Sequence, residues 1–169
     1  MLRLWVCFLV SFFFLSSCFP FSSELRQQID STLTLANIKK DPTIYKGRKV
    51  LLGGVIIETK NKPEETILLV RQAELDLGKR PKNLDQTAGR FMVKYKGFLD
   101  PDIYQSGREI TVIGEIEGKE VLPIGEFFYT YPIIIAQEIK LWPKRVDYAP
   151  LYPWYGERPY FWSPPYYPW

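Results

Sequence analysis

Apolar and polar residues follow three regimes along the 169-residue chain. Leu4 to Leu15 is almost wholly apolar and breaks off at Ser16, Ser17 and Cys18. From Gly47 to Trp142 the pattern is short and alternating. GRKVLLGGVIIET (47–59), ETILLVRQAEL (65–75), GRFMVKY (89–95) and GREITVIGEIEG (107–118) are β-branched or aromatic runs bounded by Gly, Pro, Asn or Asp. Each predicts a strand, and Asn61-Lys62-Pro63 predicts the turn that makes 48–75 a hairpin. A turn is expected near Gly118, then another short strand and a turn within 119–131. PIIIAQEIKLW (132–142) predicts the last strand, with Ile133, Ile135, Ile139 and Leu141 on one face. Ahead of the strands, Thr34 is a candidate N-cap for a short helix carrying Leu35 and Ile38 on one side. Pro42 can open a second short turn, and Gly47 is a natural helix stop.

No long helical pattern interrupts the series, so a parallel sheet with crossover helices is not expected. The fold class predicted is all-β: a small antiparallel, OB-like, partly open barrel over residues 34–142, with short helical turns before its first strand. A β-sandwich is the second choice. One echo supports a barrel. Gly47-Arg48-x-Val50-x-Leu52-x-Gly54-x-Ile56 matches Gly107-Arg108-x-Ile110-x-Val112-x-Gly114-x-Ile116, starting 60 residues later. Glycine inside a strand marks a bulge or bend, which a small barrel needs at its corners. Convergent strand chemistry accounts for the echo better than duplication, because the intervening segments do not match.

Composition narrows the chemistry. There are no histidines, and the cysteines are Cys7 and Cys18 alone. His-based triads, His-ligated metals and Cys-rich metal sites are thereby removed, and no cofactor or metal is expected. Net charge is +3. That is too weak to argue for a nucleic-acid partner, despite the OB-like barrel.

The N-terminal apolar run would span only ~18 Å as a helix, short of a ~30 Å bilayer core. With Arg3 before it, it reads as a secretory signal over residues 1–17. Leu15-Ser16-Ser17-Cys18 resembles the bacterial lipobox, an aliphatic residue and two small ones ahead of a cysteine. The resemblance implies cleavage before Cys18, a diacylglyceryl group on its thiol and a fatty acyl group, such as palmitate, on the new amine. The alternative is an ordinary signal peptide with a chance cysteine. Two or more acyl chains anchor stably where one does not. Phe19, rather than Asp, follows the cysteine, which in the enterobacterial sorting pattern favours the outer membrane. Residues 18–33 are expected to be the lipidated N-terminus and a tether.

Tyr45-x-Gly47, Val50-x-x-Gly53-Gly54-x-Ile56, Gly89-Arg90-Phe91, Leu99-Asp100-Pro101-x-x-Tyr104, Gly107-Arg108-x-x-Thr111-Val112-x-Gly114 and Ile124-Gly125-Glu126-x-x-Tyr129-x-Tyr131-Pro132 occur in that order. Each is weak alone. The ordered set resembles the Slp-type, starvation-inducible outer-membrane lipoproteins of Gram-negative bacteria, from the lipobox to Leu141-Trp142. That resemblance implies an anchored β-domain on the periplasmic face of the outer membrane, with no established enzymatic activity and no catalytic residues to carry over. The one chemically defined position it implies is Cys18.

Other candidates are weighed on their own residues. Glu115 and Glu117, at i and i+2 of a strand, share a face that is most simply solvated. Glu126 is expected to cap a turn or to pair with Arg90 or Arg108. Arg48, Arg90 and Arg108 each follow a glycine. They are candidate contacts for an anion or a partner, against a simpler reading as rim salt bridges. In the tail, 143–169, prolines alternate with aromatics, which forbids a stable helix and points to an extended or disordered segment. Trp154, Tyr155, Trp162, Tyr166 and Trp169 are its candidate binding residues, for stacking on glycan or sitting among lipid headgroups, unless the tail docks on its own barrel. The function expected is a non-enzymatic, membrane-anchored envelope protein that binds a protein or a polymer such as peptidoglycan. The alternative is a carrier for a small apolar or lipid ligand.

Overall fold

The computed structural model describes residues 21–145. Two short helices, α1 (Ser23–Gln27) and α2 (Leu35–Lys40), precede six strands. These are β1 (Lys49–Asn61), β2 (Glu65–Leu75), β3 (Pro81–Lys82), β4 (Arg90–Lys96), β5 (Glu109–Ile124) and β6 (Phe127–Leu141). Thr34 caps α2 by accepting from the N–H of Asn37 at 3.3 Å, and Leu35 and Ile38 are its buried residues.

β1 pairs with both β2 and β5, β5 pairs with β6, β6 with β4, and β4 with β2. The ring is therefore closed, and β3 is an extra strand on the end of β2. The all-β barrel expected from the pattern is present, with two differences in detail. The ring closes rather than staying partly open, and β4 and β6 run parallel. The cause of the second is the connection 97–108. It carries the chain across one barrel end to the free edge of β1, so β5 starts there. β6 returns into the gap beside β4 and runs in the same direction.

Inward-facing side chains fill the ring: Val50, Leu52 and Ile56 from β1, Leu68 and Val70 from β2, Phe91 and Val93 from β4, Ile110, Val112 and Ile116 from β5, and Ile134 from β6. Leu35 and Ile38 of α2 and Leu99 join this core. Burial of each such side chain stabilises by roughly 1.5–3 kcal/mol. A second cluster, Ile67, Met92, Tyr131 and Ile133, lies on the opposite face of β2, β4 and β6.

Three bulges set the phase. The register skips Ile57 against β2, Glu117 against β6, and Gln137 against β5. The first falls beyond the Gly53-Gly54 pair, where a bend was expected. The last corrects the single face assigned to the final strand. Ile139 and Leu141 pack on the interior cluster, while Ile133 and Ile135 belong to the outer one, because the extra residue flips the alternation. At Gly118 the chain does not turn. β5 continues through the Glu117 bulge to Ile124, and the turn is at Gly125 and Glu126. Nor do residues 21–33 form only a tether. Phe21 is buried, Ser22 donates to Glu138 Oε2 at 3.2 Å, Ile29 bridges to Lys49, and Asp30 pairs with Arg48.

The two echoed segments pair with each other. Leu52 lies opposite Val112, the equivalent position of the other copy. Gly47 N–H donates to Ile116 at 2.9 Å, and Gly107 N–H donates to Ile56 at 2.9 Å. Both glycines have positive φ, +84° and +87°. At Gly54 and Gly114 a Cβ would collide with the backbone carbonyls of Arg71 and Ile135 respectively. Gly114→Ala should therefore cost about 1–3 kcal/mol, read as a lower urea midpoint. Gly107→Asn should cost less than 1 kcal/mol, because the space around it is open within 4 Å and Asn tolerates positive φ.

Candidate functional site

The structure separates the three arginines singled out by their glycines. Arg48 and Arg108 flank opposite ends of the β1–β5 ladder, roughly 25 Å apart at strand rise. Arg48 pairs with Asp30 and sits 5.9 Å from the Tyr45 ring, which is the rim salt bridge of the simpler reading. Arg90 opens β4 opposite Arg71, and its N–H donates to the Tyr129 hydroxyl at 2.8 Å. Lys39 Nζ donates to the same hydroxyl at 2.9 Å. The Gly89-Arg90 and Tyr129 motifs thus meet in a structural contact. Glu126 lies in the β5–β6 turn, and the ion pairs among the described residues include none between it and Arg90 or Arg108. Glu117 pairs with Lys94 at 2.9 Å, and that hydrogen bond holds the Lys94 ammonium above its ordinary pKa.

Arg108 alone of the three belongs to a larger assembly. Its Nη2 donates to the Trp142 carbonyl at 2.9 Å and its Nη1 to the Ile103 carbonyl at 3.1 Å. Its Nε is buried with no hydrogen-bond partner among the described residues. Next in the chain, Glu109 is 6% exposed. Its Oε2 accepts from Arg80 Nε and its Oε1 from Arg145 Nε, each at 2.6 Å. Arg80 also donates to the Pro143 carbonyl at 2.8 Å and lies 5.8 Å from the Trp142 ring. Arg145 donates to the Pro81 carbonyl at 2.7 Å. The Trp142 indole donates to Thr111 Oγ1 at 2.9 Å, and Thr111 donates to the Lys79 carbonyl at 2.7 Å. One carboxylate therefore ties the loop after β2, the start of β5 and the end of β6 together.

Beside this clamp is a cleft of about 340 Å³ lined by Gln105, Ser106, Arg108, Glu109, Lys144 and Arg145, among others. A larger cleft of about 620 Å³ is lined by Lys62, Glu64, Glu65, Lys94 and Lys96, where charges nearly balance. At the far end of the β5–β6 hairpin, Val121, Phe127 and Phe128 are exposed, the two phenylalanines at 69% and 74%.

Arg80, Glu109, Trp142 and Arg145 were not singled out from the sequence. Their proximity depends on pairings of strands distant in sequence. The local signal was a carboxylate sharing a strand face with Thr111 and Ile113, all three buried. Leu15, Ser16, Ser17, Cys18, Trp154, Tyr155, Trp162, Tyr166 and Trp169 lie outside the described residues. Among the described residues no cluster of three metal-ligating side chains occurs, and no helix is long and apolar enough to cross a membrane.

A sequence model of the outer membrane lipoprotein Slp family matches residues 15–167. The match takes in the lipobox-like segment and runs 25 residues past Trp142, where the motif resemblance ended (142 to 167). "Uncharacterized lipoprotein YeaY" of Escherichia coli (strain K12) is 30% identical over 73% of this chain and 66% of its own. "Outer membrane protein Slp" of the same organism is 26% identical over 79% of this chain and 71% of its own. An "Uncharacterized protein" of Haemophilus influenzae is 31% identical over 60% and 55%. The matched segment thus spans about two thirds of the first of these relatives. None of the three names carries an enzymatic activity. Among solved structures, Schizosaccharomyces pombe Pot1pC bound to ssDNA aligns over 63% of this chain and 83% of its own, at 10% identity and a TM-score of 0.29. No likeness of fold or ligand follows from a score that low.

Glu109→Gln should lower stability by about 2 kcal/mol, because it leaves two guanidinium groups without their counter-charge. Glu117→Gln, whose partner Lys94 is near the surface, should cost no more than about 1 kcal/mol. Urea unfolding of both variants checks the difference.

Proposed function

Since the chain belongs to the Slp family of outer membrane lipoproteins, we propose that acyl groups on Cys18 hold it at the periplasmic face of that membrane. There its barrel serves as a binding module rather than a catalyst. The observation that supports this best is the extent of the family match, which begins at Leu15 and includes Leu15-Ser16-Ser17-Cys18. Cleavage before Cys18 removes the signal segment 1–17 and with it Cys7, so the remaining chain has no free thiol and no histidine.

The partner is an envelope protein or peptidoglycan, in a structural or stress-related role. The β5–β6 hairpin supports it as one contact surface. Phe127 is 11 residues before Glu138, where the N-terminal segment is fastened, which is about 36 Å along the strand. An anchor before Phe21 would therefore leave the exposed Phe127 and Phe128 pointing away from the bilayer. Exposed aromatics of this kind mark interaction sites. The tail, with Trp154, Tyr155, Trp162, Tyr166 and Trp169, would supply a second contact. A small-ligand carrier is disfavoured, because Phe91, Leu68, Ile56 and Ile110 fill the barrel interior.

Cys18→Ala should abolish fatty-acid labelling and move the protein out of the membrane pellet; unchanged labelling and sedimentation would end the anchor reading. Phe127→Ser with Phe128→Ser should at least halve crosslinking in intact envelopes to the proteins or muropeptides captured by the wild type. An unaltered crosslinking pattern would remove the hairpin from the binding surface.

A further inference from the structure

We propose that the cleft beside Arg108 is a phosphate-binding site, for the phosphodiester headgroup of an anionic lipid or for a free phosphate group. The site goes beyond the anchored binding module and does not depend on acylation of Cys18.

Charge carries the first part of the argument. Arg108, Lys144 and Arg145 line the cleft, and Glu109 is the one carboxylate among its described lining residues. Both Glu109 oxygens are already committed, to Arg80 and to Arg145, so the cleft keeps a surplus of positive charge. Donor capacity carries the second. A guanidinium has five N–H donors, and among the described residues Arg108 commits two, both to neutral backbone carbonyls. Its Nε is buried with no acceptor among the described residues, so the donors left to meet a ligand are the remaining ones on Nη1 and Nη2. The planar fork of Arg108 suits tetrahedral phosphate oxygens, and Ser106 adds a neutral hydroxyl to the same wall. Arg48, in contrast, has the Asp30 carboxylate as its partner.

Position favours the lipid source. Ser22 is fastened to Glu138, four residues before Trp142 on the same chain segment, or about 13 Å at strand rise. Cys18 is four residues before Ser22, another ~13 Å at full extension. This clause alone rests on the proposed anchor: an acylated Cys18 would bring the cationic cleft within reach of the headgroups.

The test is thermal unfolding of the mature chain, residues 18–169, in a neutral detergent. The probes are inorganic phosphate against chloride at matched ionic strength, and dihexanoylphosphatidylglycerol against dihexanoylphosphatidylcholine. Ligand that binds only the folded state raises Tm. A rise with both anionic probes, or with the lipid alone, supports the site with a headgroup as its ligand; a rise with phosphate alone supports it with a free phosphate. Arg108→Gln should weaken the apparent affinity about tenfold. Because Arg108 also holds the Trp142 carbonyl, Lys144→Glu on the exposed wall is the second variant, with the same expected loss. No rise beyond the chloride and phosphatidylcholine controls would overturn the proposal, as would a wild-type response from the Lys144→Glu chain. Either result leaves the acylation of Cys18, read separately by fatty-acid labelling, as it stands.

Discussion

Two glycines at positive φ, Gly47 and Gly107, hold the barrel shut by the same device used twice. Each sends its N–H across to an isoleucine carbonyl of the other strand, Ile116 and Ile56, and each isoleucine N–H returns to the arginine that follows the glycine. The β1–β5 ladder is thus locally two-fold, with Leu52 facing Val112 at its centre. Gly54 and Gly114 complete the symmetry. Each strips the Cβ from the point where the outer neighbour's carbonyl comes close, Arg71 of β2 on one side and Ile135 of β6 on the other. A strand that must touch two neighbours on a small ring has to curve sharply, and glycine permits that approach. The echo in sequence is accounted for by this shared demand. No duplication is required, and the unlike segments between the copies fit that view.

The echo also shows what was legible beforehand. Strands were readable wherever alternation was local, as in Val50, Leu52 and Ile56, or Leu68 and Val70. The helix at Leu35 was readable from its Thr34 cap and its i, i+3 apolar pair. Legibility failed where one residue shifted the phase. Gln137 carries no mark that distinguishes it from its neighbours, yet its insertion turns Ile139 and Leu141 inward while Ile133 and Ile135 stay outside. Gly118 misled in the opposite way, since glycine signals a turn as readily as a strand interior. The β4–β6 pairing left no local trace at all, because it follows from where the 97–108 connection crosses the barrel.

The same division holds for the cleft. Arg108 was visible because it follows a glycine at a strand start, but so were Arg48 and Arg90, and the sequence alone does not rank the three. What distinguishes Arg108 is non-local. The carbonyl of Trp142 lies 34 residues away, and the Glu109 carboxylate beside it is neutralised by Arg80 and Arg145 from 29 residues before and 36 after. Removing an isolated arginine from the surface would change little. Here a buried carboxylate fixes two guanidinium groups, and those in turn fix backbone carbonyls at Pro143 and Pro81. The clamp therefore fastens the segment from Trp142 to Arg145 against the barrel.

An acylated Cys18 would have mechanical consequences that a longer tether would not. Only Phe19 and Pro20 separate it from the buried Phe21, and the following segment is fastened at three further points: Ser22 to Glu138, Ile29 to Lys49, and Asp30 to Arg48. A flexible linker of a dozen residues would wander ~20 Å and let the domain tumble above the bilayer. Two intervening residues reach ~10 Å at most. The domain would then meet the membrane through a restricted part of its surface, near the C-terminal half of β6. Orientation would come from the fastened N-terminal segment first, and charge at the Arg108 cleft would act on a face already brought close, where a headgroup contact loses least to screening.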